Sequence, residues 1–594
     1  MKFFTCTKLA LLGLAALFAG AGRGDTITLS GPQTVDFDQT FTSDTTVNLN
    51  GVTFTNCGLK LRGDVTFTLN LVDGTENVFT QELNNDTCIK ATKASNLIIT
   101  GGGSLSVMST KKLKPDSKGK VADGLVTCNN LTIVGGETKV VFDNDKSDTP
   151  CFFVKGDYRQ TGGKVKVEAS KKNCTNEFYG VYLDTAGSTF TLEGGTFNAE
   201  FAGTKSRAIN LKKSSTATFA GGKCKMEFEG PDARFVSGGT IEVNDGEFTF
   251  TTNITAKMTQ AFYPTGARGM KADYSITITG GDFEADLPLH GSEVFETDAE
   301  TGTDVTITGG DLDLVSGNDC VNAHANITIA GGRIRGRSLE DDILDANNNL
   351  TISGGIVRAF ATAVDTHGLD VNSNYMFRVT GGNVIATDGP SSEKLSLVAE
   401  QTTFYGKVPR NDISGKYLVV PGSEGVTKVC VPELADTANV RLLVSVPGQA
   451  ADWAPVGQTL AEAYSDYGPS TPLVFERKVT VSGNTITTRE GDVLVIPDTY
   501  TLEPSSGKTK VVTLTLNVIE TDPGFAGIRV VDGQVQVDVP TTAGLKYQLV
   551  TADELTAASP WTAVGDVVAG DGTVKRLVAP QQAEKAFYRV KVTK

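Results

Sequence analysis

ITITGGDFEAD at 276–286, VTITGGDLDLV at 305–315, ITIAGGRIRGR at 327–337 and LTISGGIVRAF at 350–360 are four copies of one unit. Each is an alternating apolar–polar run, a Gly-Gly pair and a second alternating run. Alternation with period two marks a strand with one buried face. Gly-Gly between such runs marks a tight bend, because glycine adopts positive φ without steric cost. Further copies lie upstream: LIITGGGSLSV at 97–107, LTIVGGETKVV at 131–141, YRQTGGKVKVE at 158–168, FTLEGGTFNAE at 190–200 and ATFAGGKCKME at 217–227. A weaker copy, IEVNDGEFTF, occupies 241–250, and FRVTGGNVIAT at 377–387 ends the series.

The spacing between turns runs from 22 residues (Gly309 to Gly331) to 35 (Asp245 to Gly280). Periods of 20 to 50 residues belong to solenoids, propellers or arrays. Gly-Gly also makes two-residue hairpin turns. The head-to-tail order and the extra strand-like stretch between copies (GLVTC at 124–128, GVYLD at 180–184) favour a parallel β-helix instead. Alternation then sends Leu312, Leu314, Ile334, Val357 and Val384 inward. It sends Asp311, Asp313, Arg333, Arg335, Ile356 and Arg358 outward.

The flanks give the domain plan. Lys2 and Lys8 border an apolar run from Leu9 to Ala19, followed by the small residues Ala19-Gly20-Ala21. That is the pattern of a signal peptide at 1–21, and its apolar run is too short to span a bilayer. The expected plan is a β-helix with an N-terminal cap at 22–400, an accessory β-rich module at 401–509 and a small β-sandwich at 510–594. Residues 459–464 and the surroundings of Ala435 are the closest approaches to helix in the middle module. The expected location is secreted or at the cell surface.

The 594-residue chain carries a net charge of −15, which excludes the basic footprint of a nucleic-acid binder. Only three histidines occur, so chemistry built on several histidines has little material. Eight of the nine cysteines follow residue 21, and an even number in an exported chain permits disulfides.

Chemistry concentrates in three adjacent repeats. Aligned forward from Gly-Gly, they place Asp319, Asp342 and Asp365 in one column and Asn322, Asp345 and Asp370 in another. Asn326, Asn349 and Asn374 form a third, read as a structural amide ladder. Neighbouring strands lie about 4.8 Å apart. Two carboxylates at that distance repel by about 3.5 kcal/mol at an effective dielectric near 20. A stack of them calls for protonation, splaying into water or a bound cation, and Ca²⁺ suits flexible sets of oxygens. A solvated acidic corner is the competing reading. On the outward face Arg333, Arg335 and Arg358, with Phe360 nearby, offer forks for carboxylates and a ring for a sugar face. Ion pairs to Asp311 and Asp313 are the plainer account.

LNGVTFTN at 49–56, VTFTLNLVDGTEN at 65–77, LIITGGGSL at 97–105 and ADGLVTCNNLTIVGG at 122–136, followed by the Gly-Gly units, carry a resemblance. Over roughly residues 45–390 the chain resembles secreted bacterial carbohydrate-binding proteins with a right-handed parallel β-helix. That resemblance implies binding of plant cell-wall polysaccharide such as pectin, with calcium and without catalysis. The family's acidic motif, Asp-Asp-Gly or Gly-Asp-Gly, stands here as Ala122-Asp123-Gly124, Asn318-Asp319-Cys320 and Asp341-Asp342-Ile343. Two other classes stay open. One is a β-helix polysaccharide lyase using Arg335 or Arg358 as base, or a hydrolase using Asp282, Glu284 and Asp286. The other is a structural or adhesive surface protein.

Overall fold

Both glycines of each pair have a steric reason. In Gly354-Gly355 the second residue has φ +78°, and a Cβ on the first would lie 2.3 Å from the Ala330 carbonyl oxygen. A Cβ on Gly355 would lie 2.6 Å from the Gly331 oxygen, so each bend rests directly on the bend before it. Gly355→Ala therefore combines a left-handed alanine with a backbone clash. It should cost more than Gly187→Ala, where φ is +83° but nothing lies within 4 Å. Strain at such a position is worth roughly 1–3 kcal/mol. Urea midpoints of the two variants measure the difference, and equal midpoints would remove the stacking argument.

The structure is a computed structural model. It describes residues 25–593 except 84–85, 93–95, 112–122, 144–148, 170–176, 203–204, 229–231, 253–265, 299–302, 364–365, 373, 388–396, 423–424, 435–436, 438, 449–470, 483–484, 489–492, 496–510, 520–526, 532, 542–543, 553–561, 572 and 581–586. Residues 1–21, expected as a signal peptide, Asp365, residues 459–464 and Ala435 thus lie outside the described residues.

The chain is all-β, with a single four-residue helix, Arg410–Ile413, among the described residues. The repeats pair in parallel, each strand with its counterpart one repeat earlier and one repeat later. Ile276–Ile278, Val305–Ile307, Ile327–Ile329 and Leu350–Ile352 form one such ladder. Asp282–Leu287, Asp311–Ser316, Arg333–Ser338 and Ile356–Ala359 form a second. Glu293–Thr297, Val321–Ala323, Leu344–Ala346 and Leu369–Val371 belong to a third, part of a 13-stranded sheet. The runs flanking these Gly-Gly bends pair with other repeats, not with each other. At the N-terminal end the strand Asp25–Gln33 pairs in parallel with Thr45–Thr55 and extends the ladder.

Alternate residues of these strands form one continuous core. Aromatic rings pack against one another through it from repeat to repeat, Phe219 edge-on to Phe248 and Phe248 stacked on Phe283. Phe219–Phe248 centroids are 5.4 Å apart and Phe248–Phe283 centroids 4.3 Å apart. Aromatic pairs of this kind contribute beyond their buried area.

Leu397–Ala399 still pairs in parallel with Phe377–Val379, and past it the pairing becomes antiparallel. The strand Asn439–Ser445 joins both Asn383–Thr387 and Thr403–Pro409. The middle module also claims Val511–Ile519, which pairs with Tyr417–Gly422 and Thr471–Ser482. Val511–Ile519, which follows the boundary expected at 509/510, is thus paired with strands that precede it. Beyond it, two three-stranded antiparallel sheets share a core of Val535, Val537, Leu549 and Leu577.

Candidate metal centre

The third ladder positions the acidic residues. Val321, Leu344 and Leu369 are register partners and fill the core. Two residues before each, a side chain sits at the turn leading into the strand: Asp319, Asp342 and His367. Asp319 Oδ1 accepts the Asp342 N–H at 3.0 Å, and Asp342 Oδ1 accepts the His367 N–H at 2.6 Å. Each carboxylate therefore caps the next turn. The expected third member, Asp365, lies outside the described residues; the last repeat is two residues longer here, and register gives the third place to His367. The same slip moves the amide ladder. Asn326 and Asn349 stack as expected, with Asn349 Nδ2 donating to Asn326 Oδ1 at 3.1 Å. Asn349 Oδ1 then accepts from the Met376 N–H at 3.0 Å, so Met376 and not Asn374 follows. The column Asn322–Asp345–Asp370 stands in register.

The column is buried. Asp319 is 3 % exposed and Asp342 7 %. Asp319 Oδ2 accepts from the side-chain amides of Asn318 at 3.0 Å and Asn322 at 3.1 Å. These neutral donors favour its anion. Burial, reinforced by Glu293, Asp341, Asp345 and Asp342, outweighs them and pushes its pKa up to about 10. Burial, then Asp370, pushes Asp345 up to about 7. Asp341 is raised by burial and by Asp342. Glu293 continues the column upstream, where burial raises it against the pull of Arg268. It and Glu296 surround Arg268, and Lys271 Nζ lies 2.5 Å from Glu296.

Among the described residues, no Lys or Arg forms an ion pair with Asp319, Asp341, Asp342 or Asp345. Two sets of donor atoms could hold a metal ion: Asp319 with Asp341 and Asp342, and Asp342 with His367 and Asp370. Within each set one donor atom per residue lies within 4.8 Å of the others. The first set is all carboxylate oxygen, the donor type Ca²⁺ prefers. Forward alignment missed Glu293, Asp341 and His367. Counting back from the apolar residues Val321, Leu344 and Leu369 would have found the last.

The arginine face needs correction. Arg358 is 8 % exposed and Phe360 7 %. Arg358 donates to the Asn383 carbonyl at 2.7 Å and to Asn383 Oδ1 at 2.9 Å, and burial lowers its pKa to about 10. Phe360 packs with Ile385, Phe404, Val408 and Val444. Both point outward from the ladder as alternation requires, but Arg358 lies buried against Asn383, and Phe404, Val408 and Val444 of the following module share a core with Phe360. Among the described residues, Arg358 and Phe360 therefore offer no exposed arginine–aromatic surface. Arg333 pairs with Asp311, and Arg335 with Asp313 at 2.9 Å. Asp282, Glu284 and Asp286 stand exposed on one strand.

Seven cysteines among the described residues are free thiols: Cys57, Cys88, Cys128, Cys151, Cys224 and Cys320, all buried, and the exposed Cys430. The disulfides that the even cysteine count permits are not formed there. Burial raises the Cys320 thiol to about 12, and Cys224 lies in the core as expected. No described helix is long and apolar enough to cross a membrane. Comparison with protein-family models, curated proteins and solved structures finds no match to this chain, so its own residues carry the functional argument.

Proposed function

We propose that this is a secreted protein whose repeats wind as a right-handed parallel β-helix, and that it binds an acidic polysaccharide of the pectin type through calcium, without cutting it. One observation carries the reading. Asp319, Asp341, Asp342 and Asp345 crowd together, Asp319 and Asp342 deeply buried, with no Lys or Arg ion pair among the described residues. Buried like charges are costly unless neutralised. A cation supplies that neutralisation, and Asp319, Asp341 and Asp342 would hold calcium through oxygen. The net charge of −15 would repel a polyanion. A bound cation gives the polymer's carboxylates a local positive partner. The ladder repeats along its axis, so it suits a ligand that is itself repetitive.

A lyase is less well supported. Of its two candidate bases, Arg358 is covered, and Arg335 is tied to Asp313 on a different ladder from the acids. Retention of the full chain on immobilised polygalacturonate, in calcium and in chelator, tests the proposal. Retention that chelator abolishes, with no absorbance from unsaturated uronate products, is the expected outcome. Release of such products would replace binding by lyase chemistry. No retention under either condition would favour a structural or adhesive role.

A further inference from the structure

The acidic column ends on an imidazole. A calcium site has no use for His367, because Ca²⁺ takes oxygen ligands. Imidazole with carboxylate suits zinc, copper, iron or nickel. His367 is held firmly: its backbone N–H is fixed by Asp342 Oδ1 at 2.6 Å, and its Nδ1 lies 3.0 Å from the same oxygen. Asp370, three residues on, brings a carboxylate to the same place from the strand Leu369–Val371. The side chain of His367 is 24 % exposed and that of Asp342 10 %, so the group opens to solvent through the ring.

Two further observations point to a missing positive charge. Glu293, one place earlier in the column than Asp319, is 4 % exposed, and its Oε2 accepts no hydrogen bond. Among the described residues its one ion pair is with Arg268, at 3.4 Å, which it shares with Glu296. Asp345, the register partner of Asp370, has no Lys or Arg ion pair among the described residues. The column thus reaches His367 with surplus negative charge.

We propose that Asp342, His367 and Asp370 form a site for a zinc-class divalent ion, chemically distinct from the all-oxygen set at Asp319, Asp341 and Asp342. Asp342 stands between the two sets and belongs to both. The proposal rests on the reading that this ladder holds a cation, and it changes which cation one end selects. Zinc at the His367 end would leave positions for water or for an incoming carboxylate of the ligand.

The test uses the full chain stripped of metal by chelator and dialysis. Zn²⁺ and Ca²⁺ are titrated separately by calorimetry into wild type, His367→Gln, Asp370→Asn and the control His324→Gln. The expected result is zinc binding in wild type and His324→Gln. In His367→Gln and Asp370→Asn it should be weaker by at least about tenfold to a hundredfold, the loss seen even when outer-shell partners of metal ligands are removed. Calcium binding of His367→Gln should stay within a few fold of wild type. Melting temperatures in chelator establish that each variant folds. Wild type that binds no zinc overturns the proposal, and so does zinc affinity unchanged by both site variants. Loss of zinc in the His324→Gln control would place the ion elsewhere and overturn it too. Polygalacturonate retention in calcium alone is read separately. Its failure with zinc binding intact would remove the polysaccharide reading and leave this site standing.

Discussion

Calcium at one hundred times its dissociation constant should stabilise the folded protein by about 2.7 kcal/mol, and Asp342→Asn should abolish that gain. The unfolded chain holds no such constellation, so binding free energy becomes folding free energy. Asp342 is the informative position because it belongs to both donor sets and faces Asp319 and His367 from the middle repeat. Asparagine keeps an oxygen for the His367 N–H, so the substitution changes charge and little else. In chelator, Asp342→Asn should be neutral or stabilising, since it relieves a repulsion of up to about 3.5 kcal/mol between neighbouring carboxylates at an effective dielectric near 20. Melting temperature with calcium and with chelator, for wild type and variant, separates the readings. A wild type indifferent to calcium would show that the acids are instead neutralised by protons, as the raised pKa of Asp319 allows.

Phe283→Ala should destabilise the chain by about 3–5 kcal/mol, the range for removing a buried phenylalanine. The ring is 3 % exposed and lies 4.3 Å from Phe248, nearly parallel, with Phe295 edge-on at 5.3 Å. The repeats on either side hold their own places by backbone pairing, so the site should collapse little and the cavity term should remain large. Denaturant unfolding followed by fluorescence and by circular dichroism measures the loss. A cost below about 1 kcal/mol would mean that the ring column does not carry the core.

Within the repeats, local chemistry was enough to predict much of the structure. Gly-Gly pairs have one conformational meaning, and alternation has one packing meaning. Asp311, Asp313, Arg333 and Arg335 therefore appear on the outside, and Leu312, Leu314 and Ile334 inside, as predicted. Asp319 and Asp342 aligned because the repeats that carry them differ by one residue between bend and strand, and the pairing absorbs that difference before the acid.

The sequence by itself determined which residues bend, which face inward and that acids recur at one corner, because those properties depend on a residue and its immediate neighbours. Tertiary structure alone decided three other things. It set the last rung of the column: Leu369 must fill the core beside Leu344, and that fixes His367, two residues earlier, where counting from the bend gave Asp365. It placed Val511–Ile519 in the middle module, since strand pairing across some ninety residues leaves no trace in local pattern. It buried Arg358 and Phe360, because an outward-pointing side chain is exposed only if no later part of the chain returns to cover it: Arg358 is held by Asn383 of the next repeat, and Phe404, Val408 and Val444 join Phe360 in one core.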